Sequence, residues 1–175
     1  MVISGVTASG KTTLINQLNQ IYPSSRVISF DDYDIDQLST TPDINVPLKD
    51  AINQYDISTM MTDFLSVYGT TPLVLVDFPF GYRHKTLRPY IDKVIYLQIP
   101  LDIAFARQII RDDTHKSTAE IISWAQQYLN SARPYFVENQ RYVSENADLI
   151  LDGTLPLKDK VAKLIKLIQS LQKKR

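Results

Sequence analysis

Gly5-Val6-Thr7-Ala8-Ser9-Gly10-Lys11-Thr12 fits G-x-x-x-x-G-K-[ST], a loop that wraps phosphate groups in its own backbone N–H donors. Its glycines let the backbone approach a triphosphate closely. Lys11 is spaced to reach the β- and γ-phosphates, and the Thr12 hydroxyl to help hold Mg²⁺. The candidate nucleotide-binding set is therefore Gly5, Thr7, Ala8, Ser9, Gly10, Lys11, Thr12 and the adjoining Thr13.

The flanks fit such a loop. Met1-Val2-Ile3-Ser4 is a short apolar run that predicts a strand leading in. Leu14, Ile15, Leu18, Ile21 and Tyr22 recur at helical spacing and predict a helix leading out. A helix N-terminus there adds partial positive charge where phosphates would sit.

Further apolar runs follow at Arg26–Phe30, Leu73–Val76, Val94–Leu97 and Ala147–Leu151, alternating with helical patterns at about 57–68, 102–112, 118–131 and 157–173. Such alternation predicts a parallel sheet covered by helices, in one domain over residues 1–175. Ser117-Thr118-Ala119-Glu120 is a capping box that starts a helix, and Pro134 breaks or kinks that helix near Arg133. The segment from Asp31 to Pro47 carries five aspartates and two prolines with little periodicity. It predicts a loop over the sheet's carboxyl edge, where open α/β folds bind ligands.

The 175 residues balance 19 basic against 19 acidic side chains, which gives no footing for a nucleic-acid or membrane partner. There is no cysteine, so disulfides and thiolate metal sites are excluded. No apolar run approaches the roughly 18 residues of a membrane span, and no signal peptide precedes the loop. The expectation is a cytoplasmic enzyme acting on a small molecule. His84 and His115 lack metal-ligand spacing. Trp124, Tyr128 and Leu129 read as helix-packing residues. Lys158, Lys160, Lys163, Lys166 and Lys173-Lys174-Arg175 read as the polar face of the last helix.

Asp77 closes the most apolar run, the place for a second Mg²⁺ position beside Thr12. Asp31, Asp32, Asp34 and Asp36 follow the second strand. Asp31 comes first and so sits nearest the sheet edge, suited to accept a proton from an attacking hydroxyl. Arg107 and Arg111 lie one helical turn apart, with Asp112 and Asp113 just after. They are either phosphoryl-stabilising groups or a surface face paired with those acids.

In this order the residues resemble the uridine kinase-like P-loop kinases, which include uridine/cytidine kinases and nicotinamide riboside kinases. The family's loop resembles Gly5 to Thr13. Its S-x-D-x-F-Y segment is similar to Ser29-Phe30-Asp31-Asp32-Tyr33-Asp34, and an aromatic–Asp acceptor pair to Tyr55-Asp56. Its R-R-I-x-R-D helix resembles Arg107 to Asp112, its K-P-x-x-x-x-F stretch Arg133 to Phe136, and its A-D-x-I-x-x-G ending Ala147 to Gly153. Asp77-Phe78 stands where the family has Glu-Gly, placing Phe78 beside the acceptor. Asp113-Thr114-His115-Lys116-Ser117 stands where it has an arginine-rich lid, so His115 or Lys116 is a candidate replacement. The segment between the second and third strands is also short for a base-binding hairpin.

The resemblance implies a three-layer α/β P-loop fold with a five-stranded, mainly parallel sheet in the order 2-3-1-4-5. It implies ATP and Mg²⁺, with Lys11, Asp31, Arg107 and Arg111 catalytic and Thr12 and Asp77 on the metal. Asp31, Tyr33, Tyr55, Asp56 and Phe78 are placed on the acceptor, a nucleoside or riboside. The alternatives are another metabolite, such as a sugar acid or phosphorylated sugar, or a nucleotide-binding regulatory module with no acceptor.

Overall fold

The computed structural model describes residues 1–172, and the Lys173-Lys174-Arg175 end assigned to the last helix's polar face lies outside them. The strands are β1 Val2–Ser4, β2 Arg26–Ser29, β3 Val74–Asp77, β4 Val94–Gln98 and β5 Leu149–Asp152. The helices are α1 Lys11–Ile21, α2 Leu48–Ala51, α3 Ser58–Val67, α4 Leu101–Asp112, α5 Thr118–Gln127, α6 Arg133–Ser144 and α7 Leu157–Gln172. Every pairing is parallel, as the alternation implied, and the sheet order is β2-β3-β1-β4-β5, as the resemblance implied.

Successive strand residues point to opposite faces, and both faces of the central strands β3, β1 and β4 are covered, which keeps them largely apolar. The edge strands β2 and β5 leave Arg26 and Ile150 exposed. Ile3, Leu75, Ile95, Leu97 and Leu151 pack on Leu14, Ile15 and Leu18 of α1 and on Val161, Leu164 and Ile168 of α7. Val2, Val76, Val94 and Tyr96 face the other way, against Met60, Met61 and Phe64 of α3 and Val143 of α6. The result is helices, sheet, helices, with all five strands ending at the same edge.

Two readings change. The helix from Thr118 does not stop at Pro134: a π-helical segment, Tyr128–Ala132, joins α5 to α6, and Pro134 lies in the first turn of α6. Proline lacks the N–H that an interior helical residue donates, so it is tolerated where the hydrogen-bond pattern resets. The wider turn puts Tyr128 inside, stacked on Phe105 at 4.2 Å, and turns Leu129 out to solvent at 63% exposure. Leu129 is thus not a packing residue. The Ser117–Glu120 capping box forms as its sequence predicts.

The Asp31–Pro47 segment lies over the carboxyl edge, partly as short 3₁₀ turns at Phe30–Tyr33 and Ile35–Gln37. The backbone N–H of Leu48 beyond it donates to Glu138 on α6 at 3.0 Å, tying this segment to the opposite wall.

Candidate active site

A cleft of about 970 Å³ runs along the carboxyl edge of the sheet from the β5–α7 turn to the Asp31 segment. At its centre the Gly5–Thr12 loop takes a shape that its sequence anticipates. Gly5 (φ +148°) has no room for a side chain: a Cβ would lie 2.7 Å from the Leu97 carbonyl oxygen. Ala8 (φ 59°) and Gly10 (φ 96°) are both left-handed, a geometry that turns successive N–H groups inward as an anion nest. Gly10 precedes α1 and no side chain caps that helix, so its first N–H groups stay available to phosphate.

Lys11 folds back over this nest, donating to the carbonyls of Gly5 (3.0 Å) and Val6 (3.1 Å), with Asp77 3.9 Å away. The Thr12 hydroxyl donates to Asp77 at 3.0 Å, which leaves its oxygen lone pairs free for a cation. Burial pushes the Asp77 carboxyl up, with Lys11 and Thr12 pulling it partly back and Asp31 and Asp32 adding to the rise. A cation there would relieve this crowding of negative charge. Among the described residues no group of three or more His, Cys, Asp or Glu could hold a metal. Mg²⁺ bound mainly through phosphates needs no such cluster, only a carboxylate and a hydroxyl. Thr12 and Asp77 fit it.

Arg107 and Arg111 project from α4 into the same cleft. Arg111 is held in a two-point pair with Asp112, Nε at 2.6 Å and the terminal nitrogen at 2.8 Å. That pair, with Asp31 nearby, raises its pKa. Lys116 is engaged elsewhere, 2.7 Å from the buried Asp113, and neither it nor His115 lines the cleft.

Beyond the loop, Asp31 lines the cleft with Phe30, Asp36, Tyr55, Phe80, Tyr135 and Asn139. The hydroxyls of Tyr55 and Tyr135 meet at 3.4 Å. Burial raises both phenols, Tyr135 far above the ordinary range, so both stay protonated. Asp36 is raised by burial and then by Asp31.

The cleft thus brings together Gly5, Thr7, Ala8, Gly10, Lys11, Thr12, Thr13, Asp31, Tyr55, Asp77, Arg107 and Arg111. Four expected residues lie elsewhere. Ser9 is fully buried beneath the loop, where its N–H donates to the Val6 carbonyl at 3.2 Å. Tyr33 turns to α3, where its hydroxyl donates to Asp63 at 2.9 Å, because the 3₁₀ turn puts Asp31 and Tyr33 on different sides. Asp56 accepts from the Ser58 N–H at 3.0 Å at the start of α3, and Ser58 holds its carboxyl below the usual range. Phe78 is fully buried among Phe30, Phe80 and His84, since strand alternation turns it into the core just after Asp77 points out.

Several lining residues carried no assigned role in the sequence. Asp36 was one of several equivalent aspartates. Asn139 sits on α6, where it accepts from Tyr96 at 2.8 Å. Lys160 is buried rather than solvated. Its signal was its place three residues after Leu157 and four before Leu164, on the buried stripe of α7.

No protein-family profile matches the chain. It is 26% identical over 178 residues to the uridine kinase of Borrelia duttonii, covering 85% of this chain and 84% of that one. To the uridine kinase of Borreliella burgdorferi it is 28% identical over 179 residues, with the same coverage. Its fold superposes on the deoxyadenosine kinase of M. mycoides with a TM-score of 0.56 at 13% identity, covering 97% and 98% of the two chains. On the shikimate kinase of Aquifex aeolicus the TM-score is 0.54 at 13% identity, covering 98% and 96%. The chain is thus similar to uridine kinases in sequence, and its fold is the three-layer α/β fold of the P-loop kinases.

Proposed function

We propose that this protein is a cytoplasmic small-molecule kinase. It transfers the γ-phosphoryl group of ATP, or of another purine nucleoside triphosphate, to a hydroxyl of a nucleoside or riboside. The similarity to uridine kinases supports the reaction class. The observation that carries the reading is one continuous cleft with the phosphate nest at its centre and Asp31 facing it from the acceptor side.

Mg²⁺, held by Thr12 and Asp77, would neutralise charge on the β- and γ-phosphates. The residues do the rest. The loop N–H groups and the N-terminus of α1 hold the triphosphate. Lys11 gives up its two carbonyl contacts for phosphate oxygens. Asp31 accepts the proton of the attacking hydroxyl and orients its lone pair. Arg107 and Arg111 stabilise charge as it spreads over the transferring group, and closure of α4 and the following turn over the cleft excludes competing water.

The charge of the acceptor end favours one substrate class. Every Lys and Arg lining the cleft (Lys11, Arg107, Arg111, Lys160) comes from the loop, α4 or α7; beyond Asp31 the lining offers carboxylates and phenols. An anionic acceptor would meet Asp31 and Asp36 with no dedicated cation, which disfavours sugar acids and phosphorylated sugars. A neutral polyhydroxyl with a flat ring suits Asp36, Tyr55, Phe80 and Tyr135. A regulatory module would need no carboxylate at the position of Asp31.

The test is nucleotide consumption measured over nucleosides, ribosides, sugar acids and phosphorylated sugars. Turnover with neutral ribosides and none with the anions is expected. Turnover with an anionic sugar alone would reverse the assignment, and none with any acceptor would favour the module.

A further inference from the structure

Once the phosphates fill the nest and the γ-phosphate faces Asp31, the donor's base must extend the other way. The wall left for it is the β5–α7 turn, with apolar lining from Leu155 and Leu157 and Arg107 opposite on α4. Lys160, in the first turn of α7, brings an ammonium to this wall. It is only 7% exposed and donates to the Gly153 carbonyl at 2.9 Å. Gly153 is itself fixed: its N–H donates to Gln98 at 2.7 Å, and a Cβ there would stand 3.0 Å from that oxygen.

A buried cation is costly without a counter-charge, and this one bonds a neutral carbonyl with Arg107 nearby. Burial lowers the Lys160 pKa, Arg107 lowers it further, and Asp152 offsets them in part. An apolar residue, with water on the Gly153 oxygen, would close the turn at less cost. The carbonyl also uses one of three N–H donors, leaving two for a ligand.

We infer that Lys160 is a specificity-determining residue for the phosphoryl donor, reading the base so that a 6-oxopurine triphosphate such as GTP is taken in preference to ATP. This rests on the kinase reading and deepens it by naming the donor class. Guanine presents acceptors at both O6 and N7, whereas adenine presents N7 beside an amino donor. An ammonium meeting the 6-position completes a bond to guanine. Against adenine the ammonium can reach N7 alone, because at the 6-position donor faces donor. The Arg107 guanidinium can lie over either purine and does not discriminate.

The experiment is competition of GDP and ADP against a fluorescent nucleotide, without acceptor, on the wild type, Lys160→Met and Lys160→Gln, with thermal melting alongside. The wild type should bind GDP at least about tenfold tighter than ADP. Both variants should lose most of that difference through weaker GDP binding, with ADP affinity within about threefold. Lys160→Gln keeps an N–H donor for Gly153 and decides the matter if the methionine variant fails to fold. Equal affinities or an ADP preference in the wild type would overturn the inference, as would equal weakening of both nucleotides in the variants. Failure of the wild type to bind either nucleotide would instead overturn the kinase reading itself.

Discussion

The two ends of the cleft are built in different ways. The phosphate nest is made of backbone from one contiguous stretch, with Gly5 too crowded for a Cβ and Ala8 and Gly10 in left-handed conformations. The acceptor end is made of side chains from the Phe30–Asp36 turns, Tyr55, Phe80 and α6, brought together only by the fold. A backbone site recognises what all triphosphates share and tolerates little change. A side-chain site can be re-aimed by one substitution, so reaction class and acceptor identity are written in different parts of the chain.

The largest expected effect strikes the shared end. Lys11→Met should lower kcat by more than about 10³-fold, since it removes the cation that meets the β- and γ-phosphates. Melting without nucleotide should stay within about 5 °C, because the lost contacts are two part-buried carbonyl bonds and a 3.9 Å approach to Asp77, whose carboxyl burial already pushes toward the neutral form. Near-normal turnover would remove the basis for calling this end catalytic.

Asp31→Asn probes the point where the two ends meet. Asn keeps the size but cannot accept the proton, so kcat should fall roughly 10³-fold with nucleotide affinity within a few-fold. Loss of nucleotide binding with acceptor turnover kept would move Asp31 to the metal side. Unchanged kinetics would pass its role to Asp36, which also faces the cleft.

Arg111→Ala should lower kcat about 10²-fold with little effect on nucleotide affinity, and Arg107→Ala somewhat less. Arg111→Lys should rescue poorly, because the ammonium lacks the planar fork that now grips Asp112 at two points. A damaging Lys116→Ala with a mild Arg111→Ala would give the missing lid arginines' role to Lys116. Its 2.7 Å contact with buried Asp113 argues against that.

The same contrast explains what the sequence disclosed. The loop, α1 and the five strands were legible because each rests on local spacing or on alternation along the chain, whereas the strand order came only from the family resemblance. Asp77 was legible as the end of an apolar run. The acceptor end was not, because 3₁₀ turns obey no period: nothing local separates Asp31, which faces the cleft, from Tyr33, which turns to Asp63. Phe78 misled because its position beside Asp77 suggested proximity, while strand alternation sends neighbours to opposite sides. α6 was hidden behind Pro134, read as a break or kink near Arg133, where the structure places an irregular turn and then a fresh helix. Lys160 was read by charge, although its place on the apolar stripe of α7 already set it among buried residues.

The smallest expected effect isolates the acceptor end. Tyr135→Phe removes one hydroxyl from the 3.4 Å pair with Tyr55 and leaves the ring in place. That contact is long, so its loss should cost about 1 kcal/mol or less and shift melting by only a few degrees. Both phenols stay protonated at neutral pH, so the pair offers the acceptor neutral hydroxyls rather than a charge. The acceptor KM should therefore rise by only about two- to fivefold, with kcat and donor KM unchanged, because a contact made equally in ground and transition states affects KM alone. A change in donor KM instead would mean that the two ends are coupled through α6, and the division drawn between them would fail.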